Sequence, residues 1–139
     1  MRLRRIGTTA GVVMSAMAVA ALASGTAHAA TYSVKSANSA AGGYGRAEVS
    51  ISGSSYKLVA CDGGTGDGYR AVAHFWNTSS GFYDYKHAAR GSGVCETEGW
   101  EHLPSATPGT YYLQICLRDG AGGSDFACEM MSLYYNGLG

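Results

Sequence analysis

Charge is sparse in this chain and has no basic excess, with ten Lys and Arg against ten Asp and Glu. Three of the cations, Arg2, Arg4 and Arg5, fall in the first 29 residues, so the remainder carries seven against ten, a net charge of −3. A nucleic-acid binder needs a basic footprint, and this chain lacks one. Nor is there an apolar run able to span a bilayer. The one long run, Gly11 to Ala23, falls short of the roughly 20 residues required. Proline is scarce, at two residues, and no convincing helical periodicity follows residue 29.

The first 29 residues follow the three-part plan of a secretory signal peptide: a basic start, the apolar run, and the small-x-small site Ala27-His28-Ala29. Cleavage there leaves Ala30 to Gly139, enough for one domain and too short for two. The expected product is secreted and extracellular, with no nucleic-acid or membrane partner. Glycine is abundant, at 21, and tyrosine reaches 10, a balance of turn formers and strand-favouring aromatics that suggests an all-β module.

Residues 30–46 are built from Ser, Ala, Gly and Asn, with only Tyr32, Val34 and Tyr44 to offer a core, which predicts a flexible arm outside the folded domain. From Ala47 the pattern alternates. Ala47, Val49 and Ile51 share one face, and after the turn Gly53-Ser54-Ser55 the run Tyr56 to Asp62 places Leu58 and Ala60 on the face of Tyr56, predicting a hairpin. Gly63 to Gly68 reads as a loop, and Tyr69 to Trp76 alternates again. Phe82 to His87 sets Phe82, Asp84 and Lys86 against Tyr83, Tyr85 and His87, and a short strand is expected at Cys95. Two strong strands, Thr110 to Leu117 and Phe126 to Tyr135, close the pattern. About seven short strands with regular turn signals predict an antiparallel β-sandwich, immunoglobulin-like, or a small barrel, over residues 47–139.

Four cysteines, Cys61, Cys95, Cys116 and Cys128, in an exported chain read as two disulfides rather than a metal site. Positions facing each other across a hairpin are equidistant from its centre, and residues 116 and 128 both lie about six residues from Gly122. Cys116–Cys128 is therefore preferred, leaving Cys61–Cys95. The rival bridge Cys61–Cys116, an immunoglobulin-type staple between sheets, stays open.

Catalytic chemistry has little support. His74, His87 and His102 have serines and carboxylates available, yet no G-x-S-x-G elbow surrounds any serine, and no H-E-x-x-H or Cys-His spacing points to a metal or cofactor. Asp62 and Asp67 flank a glycine loop without the ligand spacing of a calcium site, and Glu96, Glu98 and Glu101 near Trp100 read as an acidic strand face. The aromatics carry more information. Adjacent pairs such as Tyr111-Tyr112 must point to opposite faces of a strand, so some rings are expected on the surface, and Tyr44, Trp76, Tyr83, Tyr85 and Trp100 are the candidate partner-binding residues.

The run Leu58-Val59-Ala60-Cys61-Asp62, then Gly66-Asp67-Gly68, Phe75, Gly91-Ser92-Gly93-Val94-Cys95, and Gln114-Ile115-Cys116-Leu117-Arg118-Asp119 ending at Cys128 resembles small disulfide-stapled secreted proteins of actinobacteria. Within that type the chain is similar to the adaptor subunits of the umbrella toxin particles, secreted antibacterial assemblies of streptomycetes. The resemblance implies a non-enzymatic, protein-binding adaptor whose N-terminal segment docks on one subunit and whose β-domain holds another. Two alternatives stand beside it. One is an inhibitor of an extracellular hydrolase presenting the Arg90 to Cys95 loop. The other is a carbohydrate-binding module, for which a flat row of aromatics on one sheet face is the discriminating feature.

Overall fold

The computed structural model describes residues 29–64, 66–88, 93–103 and 108–137. Residues 1–28 of the expected signal peptide (residues 1–29) and residues 89–92, which include Arg90, lie outside the described residues. Nine strands are present among the described residues: β1 (Ala30–Lys35), β2 (Gly43–Ser52), β3 (Ser55–Gly64), β4 (Tyr69–Asn77), β5 (Phe82–Ala88), β6 (Cys95–Glu96), β7 (Glu101–His102), β8 (Gly109–Asp119) and β9 (Asp125–Tyr135). They form two antiparallel sheets, one ordered β1-β2-β3-β6 with β7 also on β3, the other β5-β4-β8-β9. The all-β sandwich with two disulfides is the expected architecture, with nine strands where about seven were anticipated.

Both additions have a physical origin. Residues 30–46, expected as an arm outside the domain, instead supply β1 and the start of β2, with Tyr32 opposite Val49 and Val34 opposite Ala47. The period-two spacing of Tyr32 and Val34 is enough to pack both partly buried rungs against the core, and the six backbone pairings do the rest. The boundary placed between residues 46 and 47 therefore falls inside β2. β6 and β7 are two pieces of one edge. They pair with Ala60–Cys61 and with Ser55–Tyr56, and the connection between them carries one residue more than the stretch of β3 opposite it.

The core follows from alternation. Ala47, Val49 and Ile51 of β2 and Tyr56, Leu58 and Ala60 of β3 meet Ala71, Ala73 and Phe75 of β4 and Tyr111, Leu113 and Ile115 of β8. The sheets are in close contact at Gly45, where a Cβ would lie 2.8 Å from Ile115 Cγ1 and 2.9 Å from the Ala71 Cβ. Polar ties close the two sides. The Tyr135 hydroxyl donates to the Gly53 carbonyl at 2.8 Å, and the Tyr56 hydroxyl donates to Asp84 at 2.9 Å.

The disulfides are Cys61–Cys95, between residues paired across β3 and β6, and Cys116–Cys128, across the β8–β9 hairpin. This is the preferred pairing, and the bridge between sheets is excluded. Two disulfides suit an extracellular protein, and among the described residues no helix is long and apolar enough to cross a membrane. At Gly45 even one methyl group must displace Ile115 or Ala71. Gly45→Ala is expected to lower stability by about 1–3 kcal/mol, read as a fall in the urea midpoint at unchanged slope.

Candidate functional site

Because Ala71, Ala73 and Phe75 face inward, Arg70, Val72, His74 and Trp76 of β4 face outward. The same rule sends Tyr83, Tyr85 and His87 of β5 and Tyr112, Gln114, Cys116 and Arg118 of β8 to that side, and the registers His74↔Tyr85, Trp76↔Tyr83 and Trp76↔Tyr112 align them into one surface. Tyr83 (56%), Tyr85 (51%), Met130 (52%) and Tyr134 (68%) are exposed on this sheet. Trp76 and Tyr112 stack with centroids 5.3 Å apart, Tyr83 and Tyr85 lie 6.0 Å apart and tilted, and Tyr85 meets the edge of His87 at 5.1 Å. Three candidates, Trp76, Tyr83 and Tyr85, are thus brought together on one face.

The other two are not. Tyr44 lies against Gly63 and Gly64, where added Cβ atoms would sit 2.7 Å and 3.0 Å from its ring, and Lys35 Nζ stands 3.8 Å from its centroid. Its ring is already occupied within the first sheet. Trp100 is exposed, but on the bulged connection between β6 and β7, with Lys57 Nζ 5.6 Å from its centroid.

A polar chain runs through the aromatic face. His74, nearly buried, has Nε2 2.9 Å from Asp125 Oδ2 and Nδ1 2.6 Å from the Tyr83 hydroxyl, and Arg118 Nε donates to Asp125 Oδ1 at 2.5 Å. Asp125 reaches this face because β9 carries one extra residue opposite Ile115–Leu117, with Ala127 in the left-handed region at φ 52°. Burial tends to raise the Asp125 pKa, but hydrogen bonds from Arg118 and His74 outweigh it and hold the carboxyl below its ordinary value. Asp125 is therefore ionised and accepts from His74 Nε2–H, while Nδ1 of the same ring hydrogen-bonds the Tyr83 hydroxyl. The Tyr83 hydroxyl is itself pushed up, first by burial and then by the Asp125 charge, which keeps it protonated. An Asp–His–hydroxyl sequence with its hydroxyl held in the weakly nucleophilic form works as a positioning chain for Tyr83.

His74, Cys116 and Asp125 place ligand atoms within 4.8 Å of one another, but the Cys116 sulfur is bonded to Cys128 and offers no thiolate. His102 lies on β7, in the other sheet. Asp62 and Asp67 are close enough that, after burial, the Asp67 charge raises the Asp62 pKa, while Asp67 itself accepts from Ser39 Oγ at 2.5 Å and from the Tyr69 amide at 2.9 Å. Glu98 and Glu101, read as an acidic face, belong to an ion cluster: Lys86 Nζ is 3.0 Å from Glu98, 3.1 Å from Glu101 and 3.1 Å from Asp84. Burial lowers the Lys86 pKa, but the three carboxylates more than reverse it and hold the ammonium charged. This cluster anchors β5 to the β6–β7 edge.

A scan against protein-family models and searches of curated proteins and of solved structures find no match to the chain.

Two outcomes follow from the electrostatics. Lys86→Met leaves Asp84 and Glu101 facing each other beneath Tyr56, and is expected to cost about 3 kcal/mol in chemical denaturation. Asp125, depressed in the folded state, contributes stability above the ordinary carboxylate range that disappears as pH falls through its folded value. The difference in urea midpoint between wild type and Asp125→Ala should be clear near pH 6 and should shrink steadily below about pH 4.

Proposed function

We propose that the mature chain is a secreted, non-enzymatic protein-binding module that engages its partner through the outer face of the β5-β4-β8-β9 sheet. One observation carries this reading: Trp76, Tyr83, Tyr85 and Tyr112 share that face with exposed Met130 and Tyr134. Clustered aromatics and methionine rimmed by Arg, His and Gln have the composition of a protein interface, in which rigid rings supply area and their polar tips supply direction. The leader-like first 29 residues and the two disulfides support an extracellular setting. The resemblance to umbrella-particle adaptors gives this reading its specific form, a link between subunits of an extracellular antibacterial assembly.

Carbohydrate binding is the second reading, favoured by the same row of rings. Trp76 and Tyr112 cover one face of each other by stacking, and Tyr83 and Tyr85 are tilted by 34°, so the row offers fewer coplanar faces than a sugar platform uses. The inhibitor reading rests on Arg90, outside the described residues.

The test is affinity purification of the tagged chain from its own secreting culture, alongside Tyr83→Ala/Tyr85→Ala and Trp100→Ala. A stoichiometric partner protein weakened at least about tenfold by the double change and unaffected at Trp100 is expected. Retention on insoluble polysaccharide in place of a protein partner, or equal recovery of the partner by all three forms, overturns the assignment.

A further inference from the structure

The aromatic face contains a concentration of positive charge that its aromatic chemistry does not require. Arg70 of β4 stands directly opposite Arg118 of β8 in the register, on two central strands. Like charges opposed across a ladder are destabilising, so the pair is a cost to folding unless something offsets it. Asp125 offsets one of the two through Arg118. Arg70 Nε is buried with no hydrogen-bond partner among the described residues. A guanidinium donor removed from water without an acceptor is costly, and the acceptor it wants is anionic.

His87 lies on the neighbouring strand opposite Val72, two residues from Arg70, and His74 two residues beyond Val72. His74, Tyr83, Tyr85, His87, Arg118 and Ala121 line a depression of about 240 Å³. The His87 pKa is pushed down, first by burial and then by Arg118, Arg70 and His74, with only Asp125 opposing. The imidazole thus senses a positive field, in a chain whose net charge outside the leader is −3. On its other side His87 borders a second depression, lined by Lys86, Asp84, Glu96 and Glu98.

We infer that the depression lined by Arg118, His87 and Tyr83, with Arg70 beside Arg118 in the register, is a carboxylate-binding site, and that its occupant is an Asp or Glu side chain of the partner protein, whose neighbouring apolar groups rest on Tyr83 and Tyr85. This inference rests on the protein-binding reading and adds the partner's chemistry. Charge complementarity argues for it: a guanidinium binds a planar carboxylate in the geometry it prefers, and a carboxylate held at Arg118 offsets the opposed charges of Arg70 and Arg118.

The test uses the whole mature chain and two probes, N-acetyl-glutamate amide and its neutral isostere N-acetyl-glutamine amide, followed by NMR at low salt. Saturable shifts of the Arg118, His87 and Tyr83 signals with the first probe, and none with the second, are expected, with affinity at least fivefold weaker in Arg70→Gln and weakening further as salt is added. Melting temperatures of Arg70→Gln and Arg118→Lys show whether a lost response is a lost fold, and Arg118→Lys should retain part of the binding. Equal shifts with both probes, shifts centred on Lys35 or Lys57, or undiminished binding by folded Arg70→Gln overturn the site. The two proposals fail separately: if Arg70→Gln captures the native partner as well as wild type while Tyr83→Ala/Tyr85→Ala does not, the carboxylate site falls and the docking face stands.

Discussion

Ala71, Ala73 and Phe75 can enter the core only if Arg70, His74 and Trp76 turn to the other side. That period-two constraint on β4, a strand paired on both edges, determines the rest of the second sheet. A one-residue slip would put a guanidinium, an imidazole and an indole between the sheets and expel the ring that stacks on Tyr111. The aromatic face is the obligatory reverse of the core, and its rigidity comes from the core packing behind it.

The first sheet plays a different part. Its outer rings are spoken for by neighbours, Tyr44 by two glycines and Lys35, while its edge is occupied by β6, β7 and the Lys86 cluster. On the second sheet Arg70 Nε has no acceptor among the described residues, and several rings keep their exposure.

Much of this was legible in the sequence. Alternation located most of the core and the strands carrying it, hairpin symmetry selected Cys116–Cys128, and the opposed faces of β5 placed Tyr83, Tyr85 and His87 together. What escaped detection depends on contacts between residues distant in the chain. β1 was hidden because Ser, Ala and Asn surround Tyr32 and Val34, and only pairing with β2 rescues so weak a pattern. Asp125 reaches His74 through a bulge at Ala127, a non-glycine residue with positive φ that no turn motif announces. Arg70 and Arg118 are 48 positions apart in sequence numbering, and only register makes them neighbours. A charged residue in an alternating strand, on the face opposite its alanines, was the available signal for Arg70.

The two cystine loops are consecutive: Cys61 joins Cys95 before Cys116 and Cys128 occur. For a polypeptide emerging amino end first, each thiol meets its proper mate as the next one to appear, so oxidation in order of emergence yields the native linkage directly. Such an order of bridges leaves little for a catalyst of sulfur reshuffling to correct.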